Sequence, residues 1–243
     1  MEVIGVMIKR QLKRYWRSKP RLLGSFAQPL LFLFAFTFGF GPIYASAGEG
    51  NYIQFLAPGI MMMSVLFTSM FNGIEVIFDR QFGFLKETLV APVSRTTILL
   101  GKAFGGALVG MIQGVIIFLI TLLVGFRPEI TQIPLAILFM ALVALLFTSL
   151  GILIASRMED MHAFPLIINF LLMPLFFLSG ALFPIEGLKL VPYFNPLTYG
   201  VDGFRGALTG SFIFNPILGL GILSGCALVV IVIGAKLFAT TEA

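Results

Sequence analysis

The sequence is poor in the residues that build catalytic and metal centres. Its 243 residues include one cysteine, Cys226, and one histidine, His162. A single cysteine permits no disulfide within the chain and no thiolate metal cluster. There is no GxxxxGK[ST] phosphate loop, no HExxH zinc motif and no nucleophile paired with a base. We therefore expect no catalytic residue, no metal ligand and no cofactor site, and any energy-consuming chemistry should lie on another polypeptide.

Charged residues are also scarce. They make up 11% of the chain, against about 25% in an ordinary soluble domain. Hydrophobic residues make up 58%, and the mean hydropathy is +1.03. A water-soluble protein of this composition could not cover its apolar surface, so lipid is the expected solvent. Long runs such as 53–71 do not alternate apolar and polar residues, which favours membrane helices over a membrane β-barrel.

Six apolar stretches approach or exceed the roughly 20 residues that a helix needs to cross a bilayer. The expected fold is therefore an all-α membrane protein with six transmembrane helices in a single domain over 1–243. The predicted spans are 22–44, 53–78, 97–126, 134–156, 164–183 and 214–238. The third of these spans is rich in glycine, and we expect these glycines to let neighbouring helices approach closely.

The first 20 residues predict an amphipathic helix. Ile4, Ile8, Leu12 and Trp16 recur every four positions, with Met7 and Tyr15 beside them. Such a helix should lie in the interface along an anionic membrane surface. Two roles fit it: a simple positive-inside anchor, or a docking site for a partner protein. Its remaining surface is basic and carries Lys9, Arg10, Lys13, Arg14 and Arg17.

The stretch between the fifth and sixth spans is apolar but interrupted by proline. Pro192 and Pro196 each remove a backbone donor and disfavour helix at the preceding residue. We expect residues 184–212 to form two short re-entrant helices that enter the outer leaflet and return. Asp202 and Arg205 are three positions apart, so they could pair on one helical face.

Four polar residues lie inside predicted spans, where they either line a pathway or hold helices together. We expect Glu75, near the cytoplasmic end of its span, to extend its carboxylate toward water. Gln113 and Asn169 lie deeper and should form hydrogen bonds between helices. The four residues are Gln28, Glu75, Gln113 and Asn169.

The loop after the second span places apolar side chains next to water. A short helix is predicted over 84–90, ended by Pro92. Exposed apolar groups in a short loop indicate a protein partner. These groups are Phe82, Phe84, Leu85 and Leu89.

Four segments, in this order along the chain, carry a family resemblance. They read FLAPGI at 55–60, DRQFGFLKETLVAPVSR at 79–95, LSGALFPIEGL at 178–188 and NPLTYGVDGFR at 195–205. With the six predicted spans, the sequence resembles permease subunits of type-2 ATP-binding-cassette (ABC) exporters. Its nearest likeness is to the branch that exports daunorubicin and nodulation factors.

The resemblance implies a half-transporter. Two copies would pair as a homodimer, and each would contact a separate ABC ATPase subunit that binds and hydrolyses ATP. The loop after the second span would carry the helix that docks on the ATPase, through Phe82, Phe84, Leu85, Glu87 and Leu89. The extracellular re-entrant segment would include Asn195, Pro196, Tyr199, Asp202 and Arg205. Family substrates include amphiphilic drugs, lipids and polysaccharides.

An ion-gradient-driven secondary transporter is the alternative function. Such carriers usually place acidic residues or broken helices at the membrane midplane. No acid here is clearly at a midplane, since Glu75 lies near the end of its span. A nucleic-acid partner is not expected, because the basic residues lie in loops at one side of the predicted spans.

We expect the protein to lie in the plasma membrane. The distribution of Lys and Arg predicts that both of its termini are cytoplasmic. Thirteen of the 16 basic residues lie on one side of the six spans, leaving Arg127, Lys189 and Arg205 on the other. Because basic loops stay in the cytoplasm, a reporter fused to the C-terminus should report cytoplasm, and one inserted at 45–52 should report the exterior. A C-terminal reporter found outside would contradict the six-span arrangement.

Overall fold

The computed structural model of the chain describes residues 2–46, 51–84, 94–158, 160–185 and 191–239. Within these ranges the chain is helical, with no strand. The predicted all-α membrane fold is therefore confirmed. In chain order the helices are α1 Glu2–Arg17, α2 Lys19–Ser46, α3 Tyr52–Phe71, α4 Ile74–Gln81, α5 Arg95–Leu123, α6 Ile133–Ala155, α7 Ala163–Phe177, α8 Val191–Phe194, α9 Pro196–Thr209 and α10 Pro216–Ala239.

Five helical stretches of the described chain are long and apolar enough to cross a membrane. They are Leu22–Tyr44, Tyr52–Gln81, Arg95–Leu123, Ile133–Ala155 and Pro216–Leu237. The predicted span 164–183 corresponds to the shorter helix α7, whose 15 residues reach about 22 Å against a hydrocarbon core of about 30 Å. After α7 ends at Phe177, Gly180 adopts a φ of 79° and turns the chain.

Helix α3 forms the centre of the bundle and packs against α2, α5, α6 and α9. It is buried along almost its whole length. The glycines of α5 permit this packing, as expected: a Cβ at Gly110 would lie 2.2 Å from the Ser69 hydroxyl, and one at Gly106 would lie 2.5 Å from a Thr148 methyl. Close helix contact through small residues is typical of membrane proteins.

The second predicted span, 53–78, is divided into α3 and α4 at Asn72 and Gly73. The Asn72 amide donates to the carbonyl of Gly106 at 3.0 Å and so fixes the break against α5. Gly73 packs so closely on α6 that a Cβ there would lie 2.2 Å from the carbonyl carbon of Gly151. Beyond this junction α4 runs toward α1.

Helix α1 packs along α5 through one side of its predicted apolar face, with Gln11 at the centre of the contact. Met7, Gln11 and Tyr15 are buried, whereas Trp16 is 56% exposed. Met7 and Gln11 lie against Gly101 and Gly105. Packing on α5 therefore selects the side centred on Gln11, rather than the side with the most regular apolar pattern.

Two helices between α7 and α10 match the prediction for residues 184–212, although 186–190 lie outside the described residues. The short helix α8 precedes α9, which packs against α3, α6 and α10. Asn195 caps α9 by accepting from the amide of Leu197 at 3.0 Å, and Pro196 occupies the first turn. The position of these helices in the outer leaflet stays a prediction.

Candidate functional site

A buried cluster of charges joins α1, α4 and α5 at one end of the bundle, here called the α1 end. At its centre is Asp79, which is 3% exposed. Its carboxylate accepts hydrogen bonds from the Lys102 ammonium and from Arg10, at 2.6 Å to Oδ1 and 3.3 Å to Oδ2. Arg14 lies 3.6 Å from the same carboxylate. One acid thus holds basic side chains from two other helices.

Glu75 is the second acid of this charge cluster. It is 5% exposed, and its carboxylate lies 4.0 Å from the Arg14 guanidinium. The expectation that Glu75 extends toward water is therefore wrong: Arg14 approaches it inside the protein. Lys102 is only 2% exposed, and a buried ammonium of this kind is tolerated when a carboxylate compensates its charge.

The local sequence explains how the charge cluster forms. Glu75 and Asp79 are four residues apart, as are Arg10 and Arg14, so each pair lies on one face of its helix. Helices α1 and α4 therefore present complementary pairs to each other. The sequence showed these i,i+4 pairs, but not which helix faces meet. From the sequence, Arg10 and Lys102 entered only the count of basic residues that predicts the orientation in the membrane.

The loop predicted to dock on a partner begins directly at this charge cluster. Phe82 is 77% exposed, as predicted, whereas Phe84 is half-buried under the Arg10 guanidinium, 3.5 Å from its ring centre. Arg80 donates to the carbonyls of Ser156 and Met158 at 2.8 Å and 3.3 Å. Leu85, Glu87 and Leu89 lie outside the described residues.

Gln113 joins three helices, as its prediction required. It is fully buried and accepts a hydrogen bond from the Tyr15 hydroxyl of α1. It also donates to the carbonyl of Ser25 in α2 at 3.1 Å and accepts from the Ser25 hydroxyl at 3.2 Å. The amide therefore fixes α1 and α2 on α5 above the charge cluster.

A cavity of about 330 Å³ lies between α1, α2 and α3. Its volume falls near the lower end of the range of about 300 to 1,000 Å³ for small-molecule sites. Gln28 is among its lining residues, and the Ser64 hydroxyl is enclosed with no hydrogen-bond partner in the described part of the chain. The lining combines apolar with uncharged polar side chains: Tyr15, Gly24, Ser25, Gln28, Pro29, Met63, Ser64, Phe67, Thr68, Phe71, Ile74 and Phe78.

At the opposite end of the bundle, Asp202 and Arg205 do not form the predicted pair. Arg205 donates to the carbonyls of Phe55, Gly180 and Ala181, at 2.8 to 3.2 Å. Burial lowers the pKa of Arg205 to about 10, so the side chain stays cationic at neutral pH.

Asp202 instead accepts from the backbone amides of Ile213 and Phe214, at 3.0 Å and 2.9 Å. The Tyr199 hydroxyl likewise donates to the carbonyl of Tyr193 at 3.0 Å. These side chains bond to backbone because each lies next to a turn whose amides or carbonyls have no helical partner. The predicted extracellular residues thus organise the segment around α9.

Asn169 is exposed on α7, beside Leu166 and Phe170, which are 73% and 83% exposed. No hydrogen bond to it is present within the described ranges. The described part of the chain therefore does not supply the helix–helix hydrogen bond expected of Asn169, and that expectation stays a prediction. An amide on a lipid-facing surface is costly in a membrane, so this surface calls for another covering group.

Comparison with known proteins fits this arrangement. A family model described as ABC-2 type transporter matches residues 2–209, from α1 to the end of α9. This chain belongs to the ABC-2 type transporter family. The predicted resemblance is therefore confirmed, and the chain is a multi-pass membrane protein of a family of transport permeases.

Several relatives carry matching descriptions. The putative transport permease ycf38 of Cyanophora paradoxa is 32% identical over 84% of this chain and 73% of that protein. Nodulation protein J of Azorhizobium caulinodans is 30% identical over 79% of each chain. The inner membrane transport permease YadH of Escherichia coli strain K12 is 32% identical over 66% of this chain and 64% of its own length.

The buried charge cluster predicts strong coupling between Asp79 and Lys102. Asp79→Asn leaves the ammonium buried without its carboxylate, which should lower the free energy of unfolding by about 3 to 5 kcal/mol. The double change Asp79→Leu with Lys102→Met should recover most of this loss, because apolar residues of similar size replace the ion pair. Titration with SDS in mixed micelles measures both values. Arg157→Gln, at an exposed position, is the control, and additive effects of the two cluster changes would contradict the coupling.

Proposed function

We propose that this ABC-2 chain is the permease subunit of an exporter that a separate ABC ATPase drives. The charge cluster supports this proposal most directly. It ties α1 and α5 to the residues that lead into the predicted docking loop. A load applied to that loop would reach two packed helices through Asp79, without any catalytic group in this chain.

The contacts suggest how force would enter the membrane. An ATPase seated on Phe82 and on Leu85, Glu87 and Leu89 would move the start of the loop when it closes around ATP. Arg80 holds this start to the end of α6, and Asp79 holds it to α5. The two contacts would convert a displacement of the loop into a tilt of α5 and α6 relative to each other.

The orientation follows from the same proposal. The docking loop and the α1 end would face the cytoplasm, where ATP is available, and the pocket at Arg205 would face the exterior. With α7 and the residues after it, up to 183, as a sixth crossing, both termini would be cytoplasmic, in agreement with the distribution of basic residues. The protein would reside in the plasma membrane.

The cavity between α1, α2 and α3 supports an amphiphilic substrate. Its aromatic walls suit an apolar body, and the enclosed Ser64 hydroxyl offers an unused hydrogen-bonding group. A polar group buried without a partner costs about 1 to 3 kcal/mol, and a ligand that bonds to it would relieve part of this cost. Drugs, lipids and glycolipids share this combination of parts.

The charge cluster also weighs against the alternative of a carrier driven by an ion gradient. Among the described residues, the acids within the candidate spans are Glu75 and Asp79. Both lie beside basic side chains at the end of a span, and Asp79 is held by several of them. A carboxylate compensated in this way is a poor carrier of protons or cations, because releasing its partners would leave buried charges.

A homodimer would give Asn169 a hydrogen-bond partner, which the described part of its own chain does not provide. The exposed face of α7 carries Leu166, Asn169 and Phe170, and α2 is largely uncovered as well. A second copy placed against α7 would remove the amide from lipid and allow it to bond across the two-fold axis.

Docking of the ATPase is tested by changing the loop. Glu87→Lys together with Leu89→Asp should abolish ATP-dependent transport and the recovery of ATPase activity with the tagged permease, because both changes oppose an apolar docking surface. Purification from the native membrane, followed by an ATP hydrolysis assay, measures the second effect. His162→Asp, in the exposed loop before α7, is the matched control. Transport that survives the double change would contradict the docking assignment.

The homodimer is tested at Asn169. Asn169→Leu should lower the dimerisation constant by about 3- to 30-fold, since a hydrogen bond between membrane helices contributes about 0.6 to 2 kcal/mol. Energy transfer between labelled copies in vesicles measures the dimer fraction. Leu228→Val, on the exposed face of α10, should leave it unchanged. An unaltered dimer fraction in Asn169→Leu would remove this surface from the interface.

A further inference from the structure

Helix α1 divides its surface among different neighbours. Its buried face, centred on Gln11, packs on α5, and the adjoining flank sends Arg10 and Arg14 to the acids of α4. The side facing away from α5 carries Lys9, Lys13 and Arg17. These three cations are exposed, and no ion pair or hydrogen bond reaches them within the described ranges. Their charges are therefore not compensated within the described part of the protein.

The three free cations are spaced by four residues and so form one stripe on the helix. They line an open groove of about 760 Å³ between α1 and α4. Aromatic side chains, including Phe78 and Phe82, form the other wall of this groove. Asp79 is the acid on its floor, and Arg10 and Lys102 already hold its carboxylate. The groove thus offers uncompensated positive charge beside apolar surface.

When the hydrocarbon core is matched to α3, this groove lies at the level of lipid headgroups. Helix α3 has 20 residues and reaches about 30 Å, the thickness of the hydrocarbon core. Its end is level with Gly106, because Asn72 bonds to that residue. The part of α5 before Gly106 therefore extends beyond the core, and α1 lies against it through Gly101 and Gly105.

The positive charge and the apolar surface of the groove complement a phospholipid, which has a negatively charged phosphate group and acyl chains. Each Lys or Arg near an anionic membrane surface contributes about 1 kcal/mol to binding. The flank of α1 with Ile8, Leu12 and Trp16 is half-buried to exposed, so apolar side chains lie next to the stripe. A helix with a cationic side and an apolar side binds at the boundary between headgroups and acyl chains.

We propose that the groove between α1 and α4 binds the headgroup of an anionic phospholipid, held by Lys9, Lys13 and Arg17. The bound lipid fixes α1 beside the docking loop. This site does not depend on the partner ATPase, and it differs from the uncharged cavity proposed for the substrate. An acidic surface of a protein partner is the competing occupant.

Trp16 provides the measurement, because it is the one tryptophan of the chain and lies three residues after Lys13, so the two side chains are neighbours on the helix surface. The full-length permease is reconstituted in vesicles of phosphatidylcholine and phosphatidylglycerol, with bromine on the acyl chains of one lipid at a time. Bromine quenches indole fluorescence on contact. If anionic lipid occupies the groove, brominated phosphatidylglycerol should quench Trp16 at least about fivefold more effectively than its mole fraction predicts, which corresponds to about one of the three cations.

The triple change Lys9→Gln, Lys13→Gln and Arg17→Gln should remove this preference and leave the fold intact, because these exposed side chains make no described contact. Arg157→Gln with Lys236→Gln removes exposed charges elsewhere and should preserve it. Equal quenching by the two lipids in the unaltered protein would overturn the proposal. A preference that persists in the triple variant would also overturn it, and loss of ATPase recovery in that variant would then identify the acidic protein surface as the occupant.

Discussion

The ion pair between Asp79 and Lys102 constrains the α1 end of the bundle. Both side chains are nearly inaccessible, at 3% and 2% exposure, so each requires the other. A buried pair of this kind contributes little net stability relative to apolar residues, but losing one partner is costly. The ion pair therefore determines the relative position of the helices more than the stability of the fold. The pair fixes where α4 lies on α5, and Arg10 extends this constraint to α1.

The same constraint would allow the bundle to transmit a displacement. Where α3 and α5 cross, Gly106 and Gly110 bring the two backbones close, and Gly73 does the same for the junction with α6. Close-packed helices have little room to slide by small amounts, so they move as bodies. Gln113 adds α2 to this group through Ser25. A displacement at the start of the predicted docking loop would therefore act on several helices rather than on one flexible segment.

Composition and hydropathy were sufficient to predict the helical membrane fold, because lipid imposes long apolar helices whatever their packing. The order of the sequence motifs was sufficient to identify the family. Sequence periodicity indicated the apolar side of α1, but not which part of it would be buried, since burial there depends on the glycines of α5 and not on apolar spacing. Asp202 and Arg205 were predicted to pair from their spacing alone, but free backbone groups at nearby turns provided closer partners. The docking residues Leu85, Glu87 and Leu89 stay predictions.

Among the described residues, buried charged side chains lie near the two ends of α3 and not in the layer between them. At one end Asp79 and Lys102 neutralise each other, and at the other Arg205 binds the carbonyl of Phe55 together with two further carbonyls. Between these ends, Gln113, Ser64 and the lining of the cavity are polar without being charged. A charged group inside this middle layer would have no compensating partner among its described residues, and burying it would be costly. An amphiphile would therefore pass with its apolar body and neutral hydrogen-bonding groups in the middle layer. Any charged headgroup would have to remain near one end, where basic side chains are available.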